Sequence, residues 1–536
     1  MDATVADTFA RDNLPPREAW PDFVLDRPEF RYPERLNCVT ALLDSWLASG
    51  HGDAPCLLAP GIAWSYRDTA ERVNRIARVL VDECGLRPGE RVLLRAPNTP
   101  MMAAATLAVL KAGGIAVGTM PLLRARELHH PLRKARIGLA LCDARLLAEL
   151  REAAGGCPEL RRIVAFGTDA PDGLEAMMAQ APADFPPADT AADDVCLIAF
   201  TSGTTGVPKG TMHFHRDVLA TCDSYARHVL RPREADRFIG SPPLAFTFGL
   251  GGLLLFPLWA GAATILLERA GPDDLVTAIA QHRASVCFTA PTAYRAMLGK
   301  LAGADLASLR VCVAAGETLP RATFEAWQRA TGLRIMDGIG STEMLHIFIG
   351  SPAEEARAGS TGRPVPGYQA RIVDAEGREL PDGTAGRLAV RGPTGCRYLA
   401  DARQRDYVQG GWNITGDFYL RDADGYFWYQ ARADDMIVSS GYNIAGPEVE
   451  DVLLGHPAVA ECGVIGTPDE ERGQIVKAFV VLAAGFSADP ATVETLQDYV
   501  KATIAPYKYP RAIEFRDSLP RTGTGKLQRF RLRESP

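Results

Sequence analysis

A ten-residue loop, Thr201–Gly210, is the segment whose composition points most directly to chemistry. It has the sequence Thr-Ser-Gly-Thr-Thr-Gly-Val-Pro-Lys-Gly and comes after the apolar run Val195–Phe200, which predicts a strand. Its glycines let backbone N–H groups approach phosphate oxygens, its hydroxyls add hydrogen bonds, and Lys209 adds positive charge. It is not a Walker A loop, because Pro208 precedes the lysine where that motif has glycine. We therefore predict a phosphate-binding loop at a strand end; a polar surface loop is the alternative.

Four further polar motifs come later in the chain. They are Gly340-Ser-Thr-Glu343, Trp412-Asn-Ile-Thr-Gly-Asp417, Arg432-Ala-Asp-Asp-Met-Ile437 with its continuation through Ser440-Gly-Tyr-Asn-Ile444 to Pro447–Glu450, and Pro520-Arg-Thr-Gly-Thr-Gly-Lys526. Taken alone, they indicate a helix cap, a turn, a solvated helix start around Glu448 and Glu450, and a basic surface tail. The same motifs could equally bind a ligand, because one carboxylate can accept hydrogen bonds from two hydroxyl groups and a lysine ammonium can bridge two anionic oxygens. Five ordered motifs in one chain favour the chemical interpretation.

This ordered set resembles the adenylate-forming superfamily of acyl- and aryl-CoA synthetases, luciferases and peptide-synthetase adenylation domains, over roughly residues 36 to 531. Two positions depart from the superfamily pattern: Ile339 stands where tyrosine is usual, and Ala431 where glycine is common. The resemblance assigns ATP or AMP binding to Thr201, Ser202, Gly203, Thr204, Thr205, Lys209, Gly316, Glu317, Asp337, Gly338, Thr342, Asp417 and Arg432. It assigns catalysis to Lys526, Thr342 and Glu343, Mg²⁺ to Glu343 and Thr204, CoA to Ser440, Gly441 and Tyr442, and the domain hinge to Asp434.

Three segments make the resemblance more specific. Leu244–Gly251, Ala314–Glu317 and Asp337–His346 are similar to benzoate- and especially 2-aminobenzoate-CoA ligases, as is the N-terminal segment Asp7–Asn37. The resemblance implies a flat apolar slot for a small aromatic acid, with Thr247 and His346 as its polar groups. Buried packing residues are the alternative interpretation of its aromatic members. The expected acid-binding residues are Phe246, Thr247, Phe248, Ala315, Gly316, Ile339, Gly340, Met344 and His346.

The implied activity is an ATP- and Mg²⁺-dependent aryl-acid:CoA ligase that forms an acyl-adenylate, releases pyrophosphate and then transfers the acyl group to CoA. The alternatives are a ligase for another small carboxylic acid, a free-standing adenylation enzyme that loads a carrier protein, a luciferase-like oxygenase, and a non-catalytic nucleotide-binding protein. The chain ends shortly after Lys526, so we expect no attached carrier domain. The presence of Lys526, Asp417 and Glu343 argues against a non-catalytic protein.

Composition excludes several other classes. A net charge of −7 and a pI near 5.8 give no overall attraction to nucleic acid or to an anionic membrane. The N-terminus has acids and prolines where a secretion signal would have basic and apolar residues. The eleven cysteines are scattered without a C-x-x-C pair, which indicates neither a zinc knuckle nor a disulfide framework. We expect a cytoplasmic monomer or homodimer that binds ATP, CoA and a small aromatic acid.

The elements that must position these residues are those of a multidomain α/β protein. Short apolar runs alternate with helical stretches between about residues 36 and 399, typical of parallel sheets covered by helices; examples are Val195–Phe200, Ser285–Thr289 and Val311–Ala314. From Ala370 to Arg391, apolar and polar residues alternate and glycines interrupt the pattern, which predicts hairpins around Asp374–Gly377 and Asp382-Gly383. We therefore predict a large N-terminal domain, 1–433, of two α/β subdomains and a β subdomain, and a small mobile α+β domain, 434–536.

One uncharged stretch, Phe238–Leu267, is long enough to cross a bilayer. Pro242, Pro243 and Pro257, with Gly249, Gly251, Gly252 and Gly261, divide it into pieces, which predicts a loop, a short buried helix and a strand instead.

Overall fold

The computed structural model describes residues 6–201, 207–432, 435–439, 442–469, 472–504, 506–521 and 527–533. Its strands are β1 (Pro55–Ala59), β2 (Ile62–Ser65), β3 (Arg91–Arg95), β4 (Ile115–Thr119), β5 (Leu139–Asp143), β6 (Arg162–Phe166), β7 (Val195–Phe200), β8 (Gly210–Phe214), β9 (Arg237–Gly240), β10 (Ala263–Ile265), β11 (Val286–Thr289), β12 (Val311–Ala315), β13 (Ile335–Gly340), β14 (Ile347–Gly350), β15 (Arg363–Pro364), β16 (Gln369–Val373), β17 (Gly386–Arg391), β18 (Val408–Gln409), β19 (Trp412–Arg421), β20 (Phe427–Arg432), β21 (Ile437–Ser439), β22 (Tyr442–Ile444), β23 (Val459–Asp469), β24 (Gly473–Leu482) and β25 (Ala512–Phe515).

Helices alternate with these strands. They are α1 (Phe9–Asp12), α2 (Ser45–Ala48), α3 (Tyr66–Arg78), α4 (Pro100–Lys111), α5 (Ala125–Lys134), α6 (Leu147–Ala154), α7 (Leu174–Gln180), α8 (His215–Thr221), α9 (Thr247–Leu250), α10 (Phe256–Trp259), α11 (Pro272–His282), α12 (Pro291–Leu298), α13 (Arg321–Thr331), α14 (Gln404–Tyr407), α15 (Gly446–Leu454), α16 (Pro490–Thr503) and α17 (Arg529–Arg533). Turns of π-helix adjoin several of them at Thr40–Asp44, Val79–Glu83, Cys222–Leu230 and Gly251–Leu255. Short 3₁₀ turns lie at Arg17–Ala19, Pro28–Phe30, Ala144–Leu146, Ala353–Glu355 and Pro506–Lys508.

The predicted phosphate loop connects two strands of a six-stranded sheet. The strand order is β6-β5-β3-β4-β7-β8, and every pairing is parallel except that of β8 with β7. Phe200 at the end of β7 pairs directly with Gly210 at the start of β8. The loop therefore starts and ends at one edge of the sheet, so its two ends are held side by side.

A second, nine-stranded sheet carries the other motifs of the large domain. Its order is β15-β14-β13-β12-β11-β9-β10-β1-β2, with a parallel centre and antiparallel strands at both ends. The strands predicted at Ser285–Thr289 and Val311–Ala314 are confirmed as β11 and β12. Since β11, β12 and β13 are parallel neighbours, their carboxyl ends meet at the same edge. That edge brings together the turns after Thr289, Ala315 and Gly340.

The uncharged stretch Phe238–Leu267 folds inside this domain. It forms most of β9, the helical segment from α9 to α10, and β10, which confirms the prediction of loop, buried helix and strand. The helical segment approaches its neighbours closely because it is rich in glycine: a Cβ on Gly251 would lie 2.3 Å from His346 Cδ2, and one on Gly252 would lie 2.5 Å from Phe288 Cδ1. None of the described helices is both long enough and apolar enough to cross a bilayer.

The β subdomain is an antiparallel sheet of order β16-β17-β19-β18, with β20 added on β19. Its hairpins differ from the prediction, because both predicted turns lie within the single connection between β16 and β17. The first turn is closed by a bridge between Val373 and Glu379. The second is held against β19, where the Gly383 N–H donates to the Arg421 carbonyl at 2.8 Å and the Arg421 guanidinium binds Asp382.

The small C-terminal domain is an α+β unit, as expected. Strands β23, β24 and β25 form its main sheet, β21 and β22 form a hairpin, and α15 and α16 pack nearby. Helix α16 begins at Pro490 because Asp489 caps it by accepting a hydrogen bond from the Thr492 N–H at 2.8 Å. Residues 433 and 434 lie outside the described part, so the position of the domain boundary stays a prediction.

Candidate active site

A cleft of about 370 Å³ lies between the two domains and brings six of the predicted nucleotide residues together. The predicted residues that line it are Gly316, Glu317, Asp337, Gly338, Ile339, Gly340, Asp417 and Arg432. The C-terminal domain closes the other side with Glu461, Arg521, Leu527 and Arg529. Residues that are far apart in sequence therefore share one cavity because strand ends of the large domain face the small domain.

Asp417 and Arg432 are neighbours across two strands. They stand opposite one another in the register of β19 and β20, and Arg432 Nη1 lies 3.4 Å from Asp417 Oδ1. Gly416 precedes the aspartate with a φ of 79°, a left-handed conformation that glycine adopts without strain. The two motifs predicted to reach the ribose thus converge on one point of the cleft.

Lys209 and Glu343 face each other on an aromatic platform. Lys209 Nζ lies 3.8 Å from Glu343 Oε1 and 4.6 Å from the ring centroid of Tyr398, with Tyr407 behind it. The Tyr398 hydroxyl donates a hydrogen bond of 2.5 Å to Glu343 Oε1. Burial, and next the Glu343 charge, raise the pKa of Tyr398 far above its usual value, so this hydroxyl remains a donor. The platform holds a cation and a carboxylate at the distance where both can contact one phosphate chain.

Sequence reasoning missed Tyr398 and Tyr407. Tyr398 lies in an irregular segment that runs beside β8, where the Leu399 N–H donates to the Gly210 carbonyl at 2.8 Å. Such a segment has no hydrophobic periodicity and carries no motif glycine at this position. A single sequence therefore contains no pattern that would identify a functional tyrosine at this position.

The turn that carries Thr342 and Glu343 is supported from the buried side. His213 Nε2 lies 2.8 Å from the Thr342 carbonyl, and the Ser341 hydroxyl accepts from the Met344 N–H at 3.2 Å. Behind His213 lies the fully buried ion pair of Arg397 with Asp217. The segment is a turn between β13 and β14 rather than a helix cap, so its geometry depends on these distant partners.

Asp337 contributes a carboxyl group to the cleft. Burial raises its pKa to about 7, against the opposing effect of a hydrogen bond from the Gly338 backbone. Its Oδ1 has no hydrogen-bond partner within the described part of the chain. This oxygen can therefore accept a hydrogen bond from a ligand.

The expected acid slot lies beside the helical segment that starts with α9. Phe246, Thr247 and Phe248 are half-buried, and the Phe248 ring lies 5.8 Å from the His346 ring. Ala315 ends β12, next to Ile339 on β13. Of the nine expected residues, Gly316, Ile339 and Gly340 reach the cleft, whereas Met344 and His346 are buried beneath it.

His346 is surrounded by aromatic rings. Its ring centroid is 4.5 Å from that of Phe256 and 5.4 Å from that of Tyr225. Burial lowers the pKa of His346 to about 3, so the imidazole is neutral at ordinary pH. The Phe248 backbone opposes this lowering of the pKa, although neither ring nitrogen makes a hydrogen bond of regular geometry to a described residue. A buried neutral imidazole is suited to a neutral polar group rather than to a charge.

Several predicted residues fall where the structure is not described. They are Ser202, Gly203, Thr204, Thr205, Asp434, Ser440, Gly441 and Lys526. The backbone of Tyr442 lies in β22. The ends of two of these gaps are described: Thr201 and Lys209 are joined by a backbone hydrogen bond of 3.0 Å, and Arg521 and Leu527, which flank residues 522–526, both line the cleft.

Glu450 is not solvated, contrary to the structural interpretation of its motif. It is buried on α15, and Arg529 Nη2 approaches both of its carboxylate oxygens, at 2.7 and 2.8 Å. Its Oε1 also accepts from the Val464 N–H at 2.7 Å. Within the C-terminal domain, this carboxylate joins α17 to α15 through its contacts with Arg529. Glu448, by contrast, is partly exposed and paired with Lys508 at 2.6 Å.

Comparison with known proteins agrees with this geometry. Residues 45–398 match the model of the family described as AMP-binding enzyme, and residues 448–526 match the AMP-binding enzyme C-terminal domain. The benzoate–CoA ligase of Thauera aromatica is 37% identical over 95% of this chain and 98% of its own length. The 4-hydroxybenzoate–CoA/benzoate–CoA ligase of Rhodopseudomonas palustris is 34% identical over 93% of this chain and 94% of its own length.

Solved structures show the same likeness. The anthranilate CoA ligase AuaEII in complex with anthranoyl-AMP aligns with a TM-score of 0.91 and 36% identity, covering 95% of this chain and 99% of that one. A benzoate CoA ligase from Burkholderia xenovorans LB400 aligns with a TM-score of 0.84 and 34% identity, covering 93% and 100%. Both the matched family models and these full-length relatives extend across the two domains that enclose the cleft. The chain therefore belongs to the AMP-binding enzyme family.

Proposed function

We propose that this protein is an AMP-forming aryl-acid:CoA ligase that acts on 2-aminobenzoate or benzoate. Two observations carry the proposal: Asp417 and Arg432 line the cleft opposite residues of the C-terminal domain, and Lys209 and Glu343 lie 3.8 Å apart. Full-length relatives named as benzoate and anthranilate ligases support the aromatic acid. The coarser chemistry, ligation of an acid to a thiol at the cost of ATP, is that of the family.

The first half-reaction joins the acid to AMP. A carboxylate does not react with a thiol because oxide is a poor leaving group, so the carboxylate oxygen attacks the α-phosphorus of ATP and pyrophosphate leaves. Lys209 and the loop that starts at Thr201 stabilise the charge on the departing phosphates. Lys526, on the loop flanked by Arg521 and Leu527, is proposed to hold the attacking carboxylate beside the α-phosphate. Asp417 and Arg432 bind the ribose.

Mg²⁺ fits the oxygen ligands offered beside Lys209. Glu343 offers a hard carboxylate oxygen beside Lys209, and Thr204 offers a hydroxyl, both suited to a small divalent cation. When bound, the ion would neutralise part of the phosphate charge. Tyr398 orients Glu343 whether or not the ion is present, through its hydrogen bond to Oε1.

The second half-reaction transfers the acyl group. The CoA thiol attacks the carbonyl carbon of the acyl-adenylate, the bond to the phosphate oxygen breaks, and AMP leaves. We assign the approach of CoA to Ser440, Gly441 and Tyr442, with Asp434 as the hinge about which the C-terminal domain turns between the two steps.

The side chains of the acid slot favour binding of a flat, uncharged ring. Phe248 and Ile339 supply apolar walls, and the neutral imidazole of His346 supplies hydrogen-bonding capacity without a charge. An ortho-amino group is neutral when attached to an aromatic ring and can donate a hydrogen bond to such a nitrogen. Thr247 offers a second polar contact. These properties favour 2-aminobenzoate, with benzoate next.

We also propose a cytoplasmic location and a monomeric or homodimeric state, without a nucleic-acid or membrane partner. All eleven cysteines lie in the described part, with free and buried thiols, which suits a reducing compartment. The net charge of −7 offers no general attraction to polyanions.

The test is AMP release by the purified protein with ATP and Mg²⁺, measured with and without CoA for a panel of aromatic and fatty acids. Thioester formation with benzoate-type acids is expected. Release of AMP that requires a phosphopantetheinyl carrier protein and not CoA would contradict ligation to CoA and support carrier loading. Absence of AMP release with every acid would contradict the proposed enzyme.

A further inference from the structure

Helix α13 begins four residues after Glu317 but lacks a cap from its own domain. Its N-cap residue is Pro320, which has no side-chain acceptor. The first N–H groups of a helix have no partner within the helix, and the helix dipole makes this end positive. The cap comes from the other domain: Asp451 Oδ1, on α15, accepts a hydrogen bond from the Arg321 N–H at 2.7 Å.

Two further contacts join the domains near the same place. Arg521 Nη1 lies 3.3 Å from Glu317 Oε1, and its Nη2 lies 2.8 Å from Glu461 Oε2 of its own domain. Arg295 on α12 donates to the Val459 carbonyl at 3.0 Å. All three contacts would be lost together if the C-terminal domain turned away. They therefore define one orientation, in which Arg521 is held at the cleft.

We infer that Asp451 is a positioning residue for acyl-adenylate formation: its carboxylate caps α13 across the domain boundary and thereby favours the orientation that brings Arg521 to Glu317. Asp451 touches no reacting atom, so it acts only through domain orientation. The inference rests on the proposed function for its kinetic consequence, but not for the cap itself. Thioester formation, which needs the other orientation, gains nothing from this contact.

The chain allows the hydrogen bond to be removed from either side. Asp451→Ala removes the acceptor. Arg321→Pro removes the donor without breaking the helix, because proline is favoured at the first helical position and Pro320 already has the extended ψ of 139° that a following proline requires. Arg321→Ala is the matched control, since it removes the same side chain but keeps the N–H. Asp451→Asn keeps an acceptor oxygen and serves as the conservative rescue.

Two kinetic measurements separate the steps: exchange of labelled pyrophosphate into ATP with acid present, and thioester formation from supplied acyl-adenylate. Asp451→Ala and Arg321→Pro should each slow exchange roughly three- to tenfold, the scale of a lost helix cap. Thioester formation should be equal to wild type or faster. Arg321→Ala should retain wild-type exchange and Asp451→Asn should recover most of it. The double variant should be no slower than either single variant, because both remove one bond.

A third measurement does not depend on the substrate. Amide hydrogen exchange in the first turn of α13 should become faster in Asp451→Ala and remain unchanged in Asp451→Asn. Equal slowing of both half-reactions, additive effects of the two substitutions, or unchanged amide exchange would each overturn the role of Asp451. If wild type shows no pyrophosphate exchange with any acid while the amide effect persists, the cap stands and the proposed function is what has failed.

Discussion

The Tyr398 hydroxyl donates a 2.5 Å hydrogen bond to Glu343, and the ring of the same tyrosine faces Lys209 Nζ at 4.6 Å. One side chain thus orients both the carboxylate proposed for Mg²⁺ and the cation proposed for phosphate. Outer partners of this kind fix the rotamer of a metal ligand and so affect both metal affinity and rate.

Removal of this hydroxyl should weaken the first half-reaction. Tyr398→Phe keeps the ring beneath Lys209 but leaves Glu343 without its donor, a loss of about 1.5–3 kcal/mol for a bond to a charged group. We expect pyrophosphate exchange to fall about tenfold or more and the Mg²⁺ concentration for half-maximal rate to rise. Tyr407→Phe is the matched control, since its hydroxyl is 3.5 Å from Ser341 and does not touch Glu343. An unchanged Mg²⁺ requirement in Tyr398→Phe would refute the orienting role.

Lys526 and Gly441 should affect opposite half-reactions. Lys526→Ala should slow acyl-adenylate formation by around a hundredfold or more, the scale for one preorganised charge contact, and spare thioester formation from supplied acyl-adenylate. Gly441→Phe should do the reverse by obstructing the approach of CoA. The two half-reactions are measured separately by pyrophosphate exchange and thioester assay. Equal damage to both steps in both variants would contradict alternation between two domain orientations.

Asp337 should make the free enzyme less stable as pH rises. Its folded-state pKa of about 7 exceeds the ordinary value of 3.8, so between these values the folded protein binds more protons than the unfolded chain. The contribution of Asp337 to the free energy of unfolding is therefore fully present below about pH 4. It is lost as pH rises to 7, by on the order of 2–4 kcal/mol in total. Asp337→Asn removes the titration, so its Tm should exceed that of wild type by more at pH 8 than at pH 5. A Tm difference independent of pH would contradict the raised pKa.

His346 acts in the opposite direction over an overlapping range. Its folded-state pKa of about 3 lies below the ordinary 6.5, so the unfolded chain binds more protons between these values and stability is lost as pH falls through that window. His346→Phe should therefore be less sensitive to acid than wild type when Tm is compared at pH 6.5 and pH 4.5. A greater acid sensitivity of the variant would show that His346 is charged in the folded protein.

Local patterns predicted the fold well, since strands such as β7, β11 and β12 are buried apolar runs that end in glycine- or proline-containing turns. The proximity of Asp417 and Arg432 was expected only because their motifs resemble those of the superfamily, and the register of β19 and β20 places the two side by side. Long-range partners were not: Tyr398 meets Glu343 across 55 positions, and Asp451 meets Arg321 across 130. Taken alone, its motif indicated a solvated Glu450, and this is wrong because the partner Arg529 lies 79 positions later. Such contacts arise from the packing of whole subdomains, which no local pattern records.

The substrate preference is the most specific consequence of the slot beside α9. Thr247 starts this helix, half-buried next to Phe248, and the neutral His346 lies behind Phe248. A contact from either polar group to an ortho-amino substituent would discriminate 2-aminobenzoate from benzoate by about 1–3 kcal/mol. Thr247→Ala and His346→Phe each remove one of the two candidates, so the variant that loses the preference identifies the group that makes the contact.

The measurement is kcat/KM for benzoate, its 2-, 3- and 4-amino forms, hexanoate and palmitate. We expect 2-aminobenzoate to lead, with benzoate next, because the aromatic and apolar side chains proposed for the slot favour a flat ring over a flexible chain. A fall in the ratio of 2-aminobenzoate to benzoate in only one of the two variants would assign the contact. If kcat/KM is higher for hexanoate or palmitate than for every benzoate, the aromatic assignment is wrong. The ligase chemistry would stand, since Lys209, Glu343 and Asp417 are proposed to act on ATP and not on the ring.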